Sequence, residues 1–316
     1  MTLTSTHGAV CAGPESIDAI VGRAEALLRS GDAREARALV VTSLPAIERH
    51  GNRAVLRKAV NLLGAADFEM GEFADAEAAF HQALDLARRD GDDLLLARAT
   101  NNLGAIANVR GQREKALVMY ALAVAAYQRL GQARGLAHAY HNMAITFRHA
   151  GLLDRADEHE RRAIEFAREA PAPHVVTLAR IGRAEISLLR GDARLAEATA
   201  LLVARELIGV PDPIERANAL RVAGAARLAL GNTAGAHETL SQALALARRH
   251  GVALTEAETL RVFAELHARN GAMFEARELA GLAIRLFTRL GARRDRDSLE
   301  AWTAALGERL EVTPSP

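Results

Sequence analysis

The chain has 316 residues, half of them hydrophobic and a quarter charged, with a formal net charge of +1. That balance excludes a disordered chain and removes any global pull toward nucleic acid or an anionic surface. Aromatic residues make up only 4%, which argues against a sheet built on aromatic and β-branched side chains, and the abundant Ala and Leu favour close-packed helices.

Residues 1–13 show no periodicity and read as a flexible leader. They lack the basic start and long apolar core of a signal peptide, and no run approaches the roughly 18 apolar residues of a membrane span. The expectation is a cytoplasmic protein that needs no membrane. The single cysteine, Cys11, lies in this leader, so no intrachain disulfide is possible. Only Lys58 and Lys115 are lysines, which reads as the base composition of a bacterial genome.

From residue 31 onward helix breakers punctuate the chain every 20 residues. Gly31, Gly71, Gly111, Gly151, Gly191, Gly231 and Gly271 form one series, and Gly51, Gly91, Gly131, Pro171, Pro211, Gly251 and Gly291 the other. The stretches between carry apolar residues at helical spacing. Residues 14–291 therefore read as seven 40-residue helical hairpins. Five residues after each first-series glycine stands an alanine (Ala36, Ala76, Ala116, Ala156, Ala196, Ala236, Ala276). Seven before it stands Ala24, Gly64, Gly104, Ala144, Ala184, Gly224 or Ala264. Such small columns are what two helices need where they cross at short range. Residues 292–310 read as a capping helix with Leu299, Trp302, Leu306 and Leu310 on one stripe, and 311–316 as a disordered tail. The fold class expected is all-α: a right-handed superhelical solenoid of seven helix-turn-helix units plus the cap.

Segments such as NLLGAADFEMGEFADAEAAFHQAL (61–84) and NNLGAIANVRGQREKALVMYALAV (101–124) resemble tetratricopeptide repeats, with the Leu-Gly pair, the turn glycine and the alanines beyond it. The 40-residue unit is similar to those of kinesin light chains and of bacterial peptide-sensing regulators. The resemblance implies that the first helix of each hairpin lines a concave groove. Its exposed positions would lie thirteen, ten, six and three residues before the turn glycine. On hairpins two to four this face offers Lys58, Asn61, Arg98, Asn101, Asn108, His138, His141 and Arg148, and the sixth adds Arg221. Amides can donate to and accept from an extended peptide backbone, and the cations can hold a carboxylate. Hairpin five presents Leu178, Ile181 and Leu188 as a candidate apolar pocket. Asn102 and Asn142 stand in a different column and read as structural.

No P-loop, HExxH, nucleophile elbow or CxxC occurs, so no catalytic set and no cofactor is expected. His138, His141 and His149 lack an acidic or thiol companion at ligating spacing, and no metal is expected. The acidic run at 157–160 reads as a solvated face. The function expected is a non-catalytic scaffold or adaptor binding a protein or peptide segment, with an acidic or carboxylate end as the matching chemistry. The alternative is a sensor whose ligand alters a partner in trans. Oligomeric state is left open.

Overall fold

The computed structural model describes residues 16–311 apart from 171, 211 and 212, with side chains described through residue 306. The leader expected at 1–13 and the tail at 312–316 lie outside the described residues.

Every described element is a helix. The first three hairpins pair α1 (Ile17–Arg29) with α2 (Ala33–His50), α3 (Arg53–Glu69) with α4 (Phe73–Asp90), and α5 (Asp93–Val109) with α6 (Arg113–Arg129). The fourth and fifth pair α7 (Ala133–His149) with α8 (Leu153–Glu169), and α9 (Pro173–Leu189) with α10 (Ala193–Glu206). The last two pair α11 (Pro213–Ala229) with α12 (Thr233–His250), and α13 (Ala253–Arg269) with α14 (Met273–Leu290); α15 (Arg293–Glu311) follows.

The first-series glycines end the first helix of each hairpin with φ between 74° and 88°, a conformation that costs glycine little. At Gly71 the N–H of Glu72 bonds back to the carbonyl of Asp67 and that of Gly71 to Phe68, closing the helix end. Ser16, Asn52, Asp92, Asp192 and Asn232 cap the helices that follow them by accepting a backbone N–H.

The small-residue column has a size rule. A Cβ on Gly64 would lie 2.7 Å from the Phe80 ring, one on Gly104 2.7 Å from the Tyr120 ring, and one on Gly224 2.6 Å from Leu240. Glycine thus stands where the second helix brings a large side chain sixteen residues later. Where that position holds Val40, Ala200 or Ala280, the column holds Ala24, Ala184 or Ala264, packed in the same clusters.

Successive first helices touch one another (α1 on α3, α7 on α9, α11 on α13), so they line the inner curve. The curve is tight enough to close. The turn at Gly31 lies against Pro213 and Ile214, the turn at Gly71 against Leu290 and Ala253, and Gly111 against Arg294 of α15. Phe73 shares a core cluster with Ala253, Leu260, Leu290 and Leu299, and Trp302 packs against the same cluster. Hairpin one thus meets hairpin six and hairpin two meets hairpin seven: one superhelical turn takes five hairpins. Leu299 and Leu306 of the cap are buried, and the side chain of Leu310 lies outside the described residues.

Candidate functional site: the enclosed inner face

Because the first helices face inward and the turn closes, the four columns before each turn glycine surround a common interior. The largest feature there is a ladder of charges running diagonally across four helices. Arg148 of α7 pairs with Glu185 of α9, Glu185 with Arg221 of α11 at 2.5 Å, and Arg221 with Glu258 of α13 at 3.1 Å. These residues stand three, six, ten and thirteen positions before their glycines, so each step moves back one helical turn. Burial alone would raise the Glu185 carboxyl, but Arg148 and Arg221 outweigh it and hold the group down at about 2. Burial likewise opposes the Arg221 charge, and the carboxylates of Glu258 and Glu185 keep the guanidinium above its ordinary range.

The proposed binding residues divide by what already holds them. Arg148 and Arg221 belong to the ladder, and Lys58 pairs with Glu25 at 2.6 Å. Asn101 accepts from Asn142 at 3.3 Å, so one member of the neighbouring column is tied to the inner face. Asn108 accepts from Thr146 at 3.0 Å, with its amide hydrogens uncommitted. Asn61 keeps a buried Oδ1 with no hydrogen-bond partner. Arg98 is exposed and makes no ion pair. His138 is half-buried beside His174, ring centroids 6.4 Å apart. Burial and the surrounding positive groups, His174 first, push His138 down to about 3.

His141 turns toward the second helix of its own hairpin, its Nδ1 2.9 Å from Oε2 of Glu160. Glu160 is fully buried, and its other oxygen lies where a Cβ on Gly182 would be, 2.1 Å away. Burial raises the Glu160 carboxyl against the pull of His141. The expectation of a solvated face at 157–160 is therefore corrected. His159 and Glu160 are buried, because Glu160 occupies the inward column held elsewhere by Val40, Phe80, Tyr120 and Leu240. Reading that column in register would have found it.

Ile181 packs in the core with Ala184, Val203 and Leu220, while Leu178 and Leu188 are half-buried. Among the described residues no group of three or more His, Cys, Asp or Glu gathers as a metal site, and no helix is long and apolar enough to cross a membrane.

The tetratricopeptide repeat family model matches residues 54–129 and 95–169. Among solved structures, the chain resembles a Rap protein complexed with Competence and Sporulation Factor at 12% identity and TM-score 0.62, over 93% of this chain and 98% of that one. It resembles the Rap conjugation gene regulator of the plasmid pLS20, in complex with the Phr* peptide, at 12% identity and TM-score 0.73, over 91% and 80%. NprR in complex with its cognate peptide NprX matches at 14% identity and TM-score 0.65, over 95% and 90%. At such identities the likeness is one of fold. Compared with curated proteins, the sequence finds no match.

Proposed function

We propose that this chain, a tetratricopeptide-repeat protein, binds an extended peptide segment along the inner face of α3, α5 and α7 and acts through that binding, without catalysis. The observation that carries the reading is the unmet hydrogen-bonding capacity of that face. Asn61 Oδ1 is buried without a partner, and the Asn108 amide hydrogens are uncommitted. A buried acceptor left unpaired costs about 1–3 kcal/mol, which a backbone N–H of an extended segment would recover. Leu178 and Leu188 offer apolar contact beside it. Two of the similar structures are complexes with peptides, which is consistent in fold with such a groove.

The scaffold reading is tested by selecting linear peptides from a displayed random library on the wild-type chain. Binding is then measured to Asn61→Ala and Asn108→Ala. Enriched peptides that lose about tenfold in affinity to either variant support the groove. Failure to enrich any linear peptide, or full retention by both variants, rejects it.

A second reading, a sensor, is favoured by the closure. An occupant of the interior presses on the same turns that meet at Gly31–Pro213 and Gly71–Leu290, so binding would change the superhelical pitch. A peptide that alters the small-angle scattering radius would favour it over a passive scaffold.

A further inference from the structure

The inner-face cations fall into two populations. Lys58, Arg148 and Arg221 are matched by Glu25, Glu185 and Glu258. Arg98, Arg134 and His138 are not: neither arginine makes an ion pair or hydrogen bond. Their placement brings them together. Arg98 and His138 occupy the same column, thirteen residues before the turn glycine, on the neighbouring helices α5 and α7. Arg134 stands one helical turn before His138, and His174 faces it from the start of α9, ring centroids 6.4 Å apart.

The charged groups around this cluster were followed onto every element packed there. α5 supplies Arg98, α7 supplies Arg134 and His141, and α9 supplies His174; all four disfavour a proton on His138. The one acid that reaches toward it is Glu25 of α1, which feels Arg98 but is already hydrogen-bonded to Lys58 of α3. The cluster is thus a pocket of one sign inside a face that is otherwise neutralised pair by pair.

We propose that Arg98, Arg134, His138 and His174 form an oxyanion-binding subsite of the groove, taking a carboxylate or phosphoryl group of the bound segment. Two planar guanidiniums supply bidentate donors and the imidazoles supply single ones. Its assignment to a peptide's anionic group rests on the groove reading above; the anion preference of the cluster does not. An anion there also sets a direction for pH dependence. In the free protein His138 is neutral at pH 7, because its folded value lies near 3. A bound anion favours the imidazolium and raises that value, so binding takes up a proton and tightens as pH falls from 7 toward 5.

The test uses the full chain with histidine resonances followed by NMR, first against inorganic phosphate and acetate, then against one groove peptide with free and with amidated carboxyl ends. The expected result is a saturable shift of His138 and His174 with either anion, tighter at pH 5.5 than at 7.5, while His81 and His267 stay still. Arg98→Gln and Arg134→Gln should each weaken it about tenfold. Phosphate binding well above acetate would assign a phosphoryl group, and parity would assign a carboxylate. The subsite is overturned if His138 fails to move with both anions, or moves linearly and equally in the two Gln variants. If the anions bind but the free-acid and amidated peptides bind alike, the groove stands and the peptide's terminal carboxylate is excluded as occupant. If the anions bind and no peptide does, the subsite stands and the groove reading falls.

Discussion

Replacing Glu185 by glutamine removes one charge from the ladder and strands two. Arg148 and Arg221 both lean on it, with side-chain exposures of 13% and 10%, and Glu185 itself is 14% exposed. The magnitude follows from the position of its titration. Lowering the carboxyl from its ordinary 4.5 to about 2, at about 1.36 kcal/mol per pH unit, is worth about 3 kcal/mol of stability. Removing one partner of a buried pair costs about 3–5 kcal/mol, and the lower end applies because Arg221 keeps Glu258 at 3.1 Å. The sign is that of a depressed acid. The contribution is complete above 4.5 and is lost as pH falls toward 2. Urea unfolding followed by helical circular dichroism should therefore show Glu185→Gln about 3 kcal/mol less stable at pH 7, and within about 1 kcal/mol of wild type at pH 2.5. Solenoids open hairpin by hairpin, so hydrogen exchange should place the loss in α7, α9 and α11. A deficit below about 1 kcal/mol at pH 7, or an equal deficit at both pH values, would refute the ladder as a source of stability.

Other perturbations test the closure, the packing rule and the cap. Gly71→Ala and Gly151→Ala share a left-handed φ of 79° and 74°, but only at Gly71 would the new Cβ meet Leu290, at 2.3 Å. Both should lose about 1 kcal/mol to backbone strain, and only Gly71→Ala should widen the superhelix in small-angle scattering. Gly224→Ala should destabilise by about 1–3 kcal/mol in thermal unfolding despite its better helix propensity. Adding Leu240→Ala should then cost less than the sum of the two, because the pair copies Ala184 and Ala200 of hairpin five. Leu299→Ala should cost about 2–5 kcal/mol and shift the fluorescence of Trp302, the single tryptophan, since both pack on the last hairpin's cluster.

The repeat was legible because its marks are local. A left-handed turn favours glycine at every fortieth position, and a close helix crossing demands a small residue seven positions earlier. The cap's Leu299 and Leu306 followed from the same period. The closure after five hairpins was not legible, because pitch is a sum of small rotations to which every interface contributes and no single residue announces. Pro213 and Leu290 carry no signal of the turns at Gly31 and Gly71 that they meet. The inner face was placed in register, yet each helix was read alone. Arg148 looked like a free cation because its partner, Glu185, stands 37 residues away on the next first helix. Ile181 looked exposed for the same reason: its neighbours Val203 and Leu220 belong to other helices.

Taken across helices, the same columns divide the interior into two halves with different physics. From α7 to α13 every rung of the ladder pairs with the next, so charge is spent on joining hairpins four to seven. A ligand there would have to break a largely buried ion pair before making its own contact, a loss its new bonds must first match. From α3 to the start of α9 the opposite holds. Asn61 lacks a partner, and Arg98 and Arg134 repel His138 with no acid between them. An incoming extended chain with an anionic group relieves an existing cost there instead of creating one. The difference in free energy between those two starting points, more than the number of polar residues in either half, is what directs a segment to hairpins two to five.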